Sequence, residues 1–447
     1  MTRVLPSPEA IAEWLPRQRW FAAKTRRIRG VAFADAVPLG RGVVLLANVE
    51  LDHGGHERYA LPLMAGEAIV EVLGEVDFAR NLVALLLRAG AVAGDRGEIR
   101  GVPAAGLAER WPHGPPADLT VRRIGGEQSN TSLVLGDAFV LKHFRKLAAG
   151  VNPEAEIPRF LTERTSFRNT PRLAGHLEYR DARGLTTTLA VMQALVPDAV
   201  DGWQWVLARL REPNGAAVTV EALRRLGERT GELHRALASG SDDPAFAPEP
   251  ISAADIDAWT DGVTAQLAAA STALRGERIG VDPSVIRAGL DHLIGRQKIR
   301  HHGDFHLGQT LYRSTAGGWM IIDFEGEPLR PLDERRRKHA AVRDVAGMLR
   351  SIAYAAASTP EVINKGSAWE SDARHAFLEG YRRGAGTAPF LPRTPVAFDD
   401  VLAIFELEKA AYEVVYEANN RPDWIAIPKR GLTTAAARLR SHVDGAA

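Results

Sequence analysis

The chain has 447 residues, 45% of them hydrophobic and 25% charged, the balance of a folded globular protein. Its 56 basic and 55 acidic residues leave a formal charge of +1, so no overall field draws it to nucleic acid or to an anionic membrane. With no cysteine, disulfides, thiolate metal sites and a cysteine nucleophile are all excluded.

Residues 1–13 carry no apolar signal core, and no apolar run is long enough to span a bilayer. These features predict a cytoplasmic protein that binds neither membrane nor nucleic acid. Residues 43–51 and 59–64 read as strands, with Gly54-Gly55 as the hairpin signal between them, and 78–87 has helical apolar spacing. A Gly/Ala-rich connection is expected over 90–101. A hairpin follows over 119–147. It carries Gly125-Gly126-Glu127-Gln128-Ser129-Asn130-Thr131-Ser132, then the strand Leu133-Val134-Leu135 and the strand Phe139-Val140-Leu141-Lys142.

Lysine at the end of such a strand is the arrangement kinases use to reach ATP phosphates, and the loop before it lies where a glycine-rich phosphate loop would cover the nucleotide. That loop has neither the G-x-G-x-x-G nor the Walker pattern, and a polar hairpin turn of this composition is ordinary. Its hydroxyls and amides, around Ser129, Asn130, Thr131 and Ser132, would bond phosphate oxygens. In Asn152-Pro153-Glu154-Ala155-Glu156, proline suits a first helical turn, which would let Glu156 face back to Lys142. Residues 188–194 read as a strand, and 191–195, with Gln193, would frame the adenine.

The remainder reads as mainly helical. Leu223, Leu226, Thr230, Leu233 and Leu237 form an amphipathic stripe, and His234 beside it reads as a surface or boundary residue. Residues 239–250 are a loop by composition. The dense basic run Arg335-Arg336-Arg337-Lys338 reads as a solvated charge cluster rather than a nucleic-acid patch. Near the C-terminus, Ile404, Leu407, Ala411, Val414 and Ala418 should face a core. Lys409, Glu413, Tyr416 and Asn420 then share another helix face, followed by Arg421 and Trp424. Charged and amide groups beside an aromatic face would suit a sugar.

The most informative stretch is His302-Gly303-Asp304-Phe305-His306-Leu307-Gly308-Gln309, followed by Ile321-Ile322-Asp323-Phe324-Glu325. Asp304 and Gln309 have the spacing of the base and the metal-binding amide in a kinase catalytic loop, Asp-x-x-x-x-Asn, with Gln in place of Asn. Asp323 closes a short apolar strand, residues 319–322. Moving a γ-phosphoryl group needs an oriented acceptor hydroxyl and magnesium to spread charge over the phosphate oxygens. Two carboxylates and an amide on a hairpin supply that arrangement.

Several strings together resemble maltokinases, bacterial sugar kinases of the aminoglycoside-phosphotransferase fold. They include Gln18-Arg19-Trp20-Phe21, Glu127-Gln128-Ser129-Asn130-Thr131-Ser132, Val151-Asn152-Pro153 and Asp201-Gly202-Trp203. Later ones are Ile322-Asp323-Phe324-Glu325-Gly326-Glu327-Pro328, the run from Arg343 to Arg350, and the stretch from Tyr412 to Trp424. The resemblance implies an α+β, bilobal, protein-kinase-like fold with an N-terminal cap subdomain (1–95), a nucleotide-binding N-lobe and linker (96–195) and a mainly helical C-lobe (196–447). It further implies ATP-dependent phosphorylation of maltose at its anomeric hydroxyl, with Asp304 as base and Gln309 and Asp323 as Mg2+ ligands. Gln128, Ser129, Asn130, Thr131, Ser132, Lys142, Glu156 and Gln193 form the expected nucleotide set. His306, Glu325, Arg343, Lys409, Glu413, Tyr416, Asn420, Arg421 and Trp424 form the expected acceptor set. On this reading Lys409 and Arg421 would repel a protonated amino sugar. The alternative acceptor is glucosamine or another small molecule, and trehalose synthase is the candidate partner.

Overall fold

A computed structural model describes residues 4–125, 129–277, 279–314, 318–328, 330–359 and 368–444, with the backbone alone for 440–444. The architecture is α+β. The chain divides into two compact units, residues 1–197 with 330–334, and residues 198–329 with 335–447.

In the first unit, helix α1 (Pro8–Trp14) starts where the Ser7 side chain accepts the Ala10 amide. The strands β1 (Ile28–Leu39), β2 (Gly42–Leu51) and β3 (His56–Met64) form an antiparallel meander. Helix α2 (Val76–Leu87) precedes strands β4 (Ala91–Ala93) and β5 (Gly97–Pro103). The Gly/Ala-rich stretch is therefore not a connection but a hairpin at the edge of a sheet. Its glycines answer a packing demand, since a side chain at Gly101 would run into the Leu85 carbonyl of α2.

After α3 (Ala105–Arg110) come β6 (Val121–Arg123), β7 (Asn130–Leu135), β8 (Phe139–Phe144) and β9 (Lys146–Leu147). Helix α4 (Pro153–Arg164) and the strands β10 (Leu173–Asp181) and β11 (Thr186–Ala194) complete the unit. One sheet has the order β4-β5-β10-β11-β8-β7-β6, and the other runs β1-β2-β3-β9. Because β8 and β9 are consecutive, the chain leaves one sheet and joins the other within a few residues. At that crossing Arg145 is fully buried, 2.5 Å from Glu71, 2.9 Å from the Thr131 hydroxyl and over the Trp20 ring.

The second unit holds β12 (Ala199–Asp201), α5 (Gly202–Leu210), α6 (Gly215–Leu237), β13 (Glu249–Pro250), α7 (Ala253–Ala273), α8 (Pro283–Asp291) and β14 (Gln297–Lys298). The hairpin β15 (Thr310–Arg313) and β16 (Gly318–Ile321) follows, and β12 pairs with β15. Residues 330–334, which include most of the short helix α9 (Leu332–Arg335), group with the first unit. Helices α10 (Val342–Ala357), α11 (Trp369–Ala385), α12 (Pro395–Asn420) and α13 (Ala426–Asp444) close the chain. The predicted stripe on α6 is buried, and α11 lies against it with backbone in near contact. No helix among the described residues is long and apolar enough to cross a membrane.

Candidate active site

In the first unit, the β7–β8–β11 register sets which side chains share a face. Ser132 pairs with Lys142, Lys142 with Val191, and Val140 with Gln193. Cross-strand partners and residues two apart point the same way, so Ser132, Lys142 and Gln193 share one face. Thr131 points to the other face, where its hydroxyl accepts from buried Arg145, so it is not brought together with Lys142. Ser129 is exposed and Asn130 opens β7, whereas Gln128 lies outside the described residues.

The string Val151-Asn152-Pro153 is a helix start. The Asn152 side chain accepts from the Glu154 amide, and its own amide donates to the Thr188 hydroxyl on β11. This pins α4 beside the sheet. Glu154, which periodicity did not single out, is buried, and Gln193 donates to its carboxylate at 3.1 Å. Glu154 thus reaches the face that carries Lys142. Glu156, two residues on in the same first turn, is half-buried.

In the second unit, Asp304, Gln309 and Asp323 lie on two adjoining loops. His306 Nδ1 accepts the Gly308 amide at 3.1 Å and so caps the short turn Leu307–Gln309. The Ile322 amide donates to the Gln309 carbonyl at 3.0 Å, and His302 Nε2 lies 2.9 Å from the Ile322 carbonyl. Each loop therefore fixes the other. Asp323 has φ 64°, a left-handed conformation uncommon outside glycine, two residues past the end of β16. Gly202 explains its own string, since a side chain there would strike the Thr310 hydroxyl where α5 meets the turn.

Behind the loop, buried Asp344 of α10 accepts the His302 amide at 2.7 Å and the Gly303 amide at 3.0 Å, and lies 3.1 Å from His234 Nε2. Burial alone would raise its pKa, but the bond to His234 and the nearby imidazoles hold the carboxyl well below its usual range. His234, expected at a surface or boundary, is fully buried, with Nδ1 3.0 Å from the Tyr381 hydroxyl. It is an anchor two contacts away from Asp304.

The expected acceptor set is largely ion-paired. Lys409 Nζ lies 3.1 Å from Asp304 and 3.0 Å from Glu327. Arg343 binds Glu408 at 3.1 Å, Arg350 binds Glu413 at 2.8 Å, and Arg421 binds Glu417 at 2.7 Å. Arg421 also lies over the rings of both Tyr416 and Trp424, and Trp424 stacks on Tyr354. Asn420 turns its amide back to the Tyr416 carbonyl. These contacts correct the expected repulsion of an amino sugar, because Lys409 and Arg421 are each held by carboxylates. Glu325 lies 3.9 Å from Arg335, which also donates to the Glu325 carbonyl. Lys338 binds Glu249, so the basic run is partly structural. Tyr412, absent from the expected set, stacks with exposed Tyr416 one turn away and lies against Lys409.

Residues 14–84 match the maltokinase N-terminal cap domain, and residues 120–393 match the phosphotransferase enzyme family. The chain is 29% identical over 372 residues to a glucosamine kinase of Streptacidiphilus jiangxiensis, covering 79% of this chain and 80% of that protein. It is 30% identical over 325 residues to a glucosamine kinase of Mycolicibacterium smegmatis, covering 70% and 78%. A solved glucosamine kinase in complex with glucosamine, ADP and inorganic phosphate superimposes with a TM-score of 0.66 at 25% identity, over 90% of this chain and 93% of that one. This chain belongs to the phosphotransferase enzyme family and is a kinase with an alcohol group as acceptor.

Proposed function

We propose that the enzyme transfers the γ-phosphoryl group of ATP to a hydroxyl of glucosamine. Asp304 accepts the hydroxyl proton, the new O–P bond forms, the bond between the β,γ-bridging oxygen and the γ-phosphorus breaks, and ADP leaves. Gln309 and Asp323 offer an amide oxygen and a carboxylate, the hard donors and the small protein share that suit magnesium completed by phosphates. Bound there, the ion would neutralise charge on the phosphate oxygens. Lys142, Ser132 and Gln193 serve the nucleotide.

The observation that carries the acceptor is the charge around Asp304. Among the described residues, Lys409, Arg343, Arg350 and Arg421 are each matched by a carboxylate, so none of these four cations stands alone against a charged acceptor. A site of matched pairs does not repel an ammonium-bearing sugar, in line with the relatives named glucosamine kinase.

A second reading, maltose phosphorylated at its anomeric hydroxyl, is favoured by the cap-domain match and by the Tyr412–Tyr416 stack, which offers a second sugar ring a surface. A role in glycogen metabolism and an association with trehalose synthase belong to that reading alone. Measuring kcat/KM for glucosamine, glucose and maltose on one preparation decides between them. Glucosamine should lead, and maltose leading would replace the acceptor while leaving the kinase in place.

A further inference from the structure

We propose that Lys409 is a positioning residue for Asp304, held to that task by a ring of alternating charge that begins and ends on α12. The inference rests on Asp304 being the base. Lys409 Nζ lies 3.1 Å from Asp304 Oδ1 and 3.0 Å from Glu327 Oε1. The other Glu327 oxygen lies 3.7 Å from Arg343, which donates twice to Glu408 at 3.1 and 3.2 Å. Glu408 and Lys409 are neighbours on one helix, so the circuit closes on a rigid element.

An ammonium has three donors, and here two of them go to carboxylates on different loops. Lys409 can satisfy both only if Asp304 and Glu327 keep their places, and Arg343 fixes Glu327 through a planar, two-pronged grip on Glu408. The side chains are mostly buried, 19% exposed for Lys409 and Asp304 and 5% for Glu327, so water screens the ring weakly. Burial would lower the Lys409 pKa, yet the charges of Asp304 and Glu327 raise it, so the ammonium persists. With Oδ1 committed to Lys409, Oδ2 is the oxygen that Asp304 presents to the acceptor hydroxyl.

The test compares Asp304→Asn, Lys409→Ala and Glu408→Gln under saturating ATP. Lys409→Ala should lose about tenfold or more in kcat, the scale of a misplaced catalytic group, with KM for ATP nearly unchanged. Added ethylamine should restore part of that kcat in a saturable way, which a purely structural lysine would not allow. Glu408→Gln, one partner further along the ring, should lose several-fold in kcat at unchanged ATP KM. If Lys409→Ala does not fold, Glu408→Gln decides alone. Folded Lys409→Ala or Glu408→Gln with parent kcat, or a Lys409→Ala loss that ethylamine leaves untouched, overturns the inference while an inactive Asp304→Asn keeps the base. An active Asp304→Asn removes both.

Discussion

Replacing Asp344 by asparagine tests how the loop bearing Asp304 is held. One carboxylate oxygen accepts the His302 amide and faces His234 Nε2, and the other accepts the Gly303 amide. Asparagine keeps the shape but has one acceptor oxygen, so its NH2 must face at least one N–H. In the better orientation it meets the Gly303 amide, losing a charge-assisted bond worth about 1.5–3 kcal/mol and demoting the other two to neutral bonds. The total is about 3–5 kcal/mol, a large share of the roughly 5–15 kcal/mol that holds a domain. Thermal unfolding followed by circular dichroism should show Tm falling by about 6–12 °C for a loss near 3 kcal/mol in a unit of this size. Since Gly303 precedes Asp304, kcat should fall as well, with ATP affinity retained. A variant that matches the parent in both Tm and kcat would refute the anchoring role.

Asp304→Asn should abolish turnover while isothermal titration still detects ATP binding, because the triphosphate is held by other groups. Asp323→Ala should lose magnesium-dependent nucleotide binding and activity together, and overlapping magnesium titrations of variant and parent would remove it from the metal site. His301 is buried, and burial first, then Arg343 and Arg300, push its pKa from 6.5 down to about 4 against the pull of Asp344. Between those values the unfolded chain takes up a proton and the folded chain does not. Stability should therefore drop as pH falls from 6.5 towards 4, by up to roughly 3 kcal/mol, and His301→Asn should flatten that limb in urea melts run across pH.

Local pattern made several elements legible. The strand ending at Lys142, the helix opened by Pro153 and the long helix around Leu407 were readable because each depends on neighbours in the chain. Strand β1 escaped notice because register shifts between Ile28 and Gly30, and between Phe33 and Asp35, break the alternation of buried and exposed positions. Partnerships were harder to read than faces. Nothing near Asp344 in the sequence points to His234, 110 residues earlier, and only the assembled α6 and α10 bring them together. Likewise Glu154 and Glu156 look equivalent in a string, until the sheet beside α4 chooses which one is buried. Lys409 was legible as part of a polar face, but not as the partner of Asp304.

The crossing from β8 to β9 bears on whether the first ninety or so residues form a detachable module. Arg145 is fully buried with Glu71 beside it, and Glu71 lies in that leading segment, as does the Trp20 ring under the guanidinium. A chain trimmed to begin near residue 95 would keep the arginine and lose both, and removing one partner of a buried ion pair costs about 3–5 kcal/mol. It would also strip β9 of β3, its neighbour in the sheet, and uncover Leu147. Lys142 sits three residues before Arg145 on the same run of backbone. Trimming or swapping the leading segment should therefore register first as loosened nucleotide contacts, long before the helical second unit feels it.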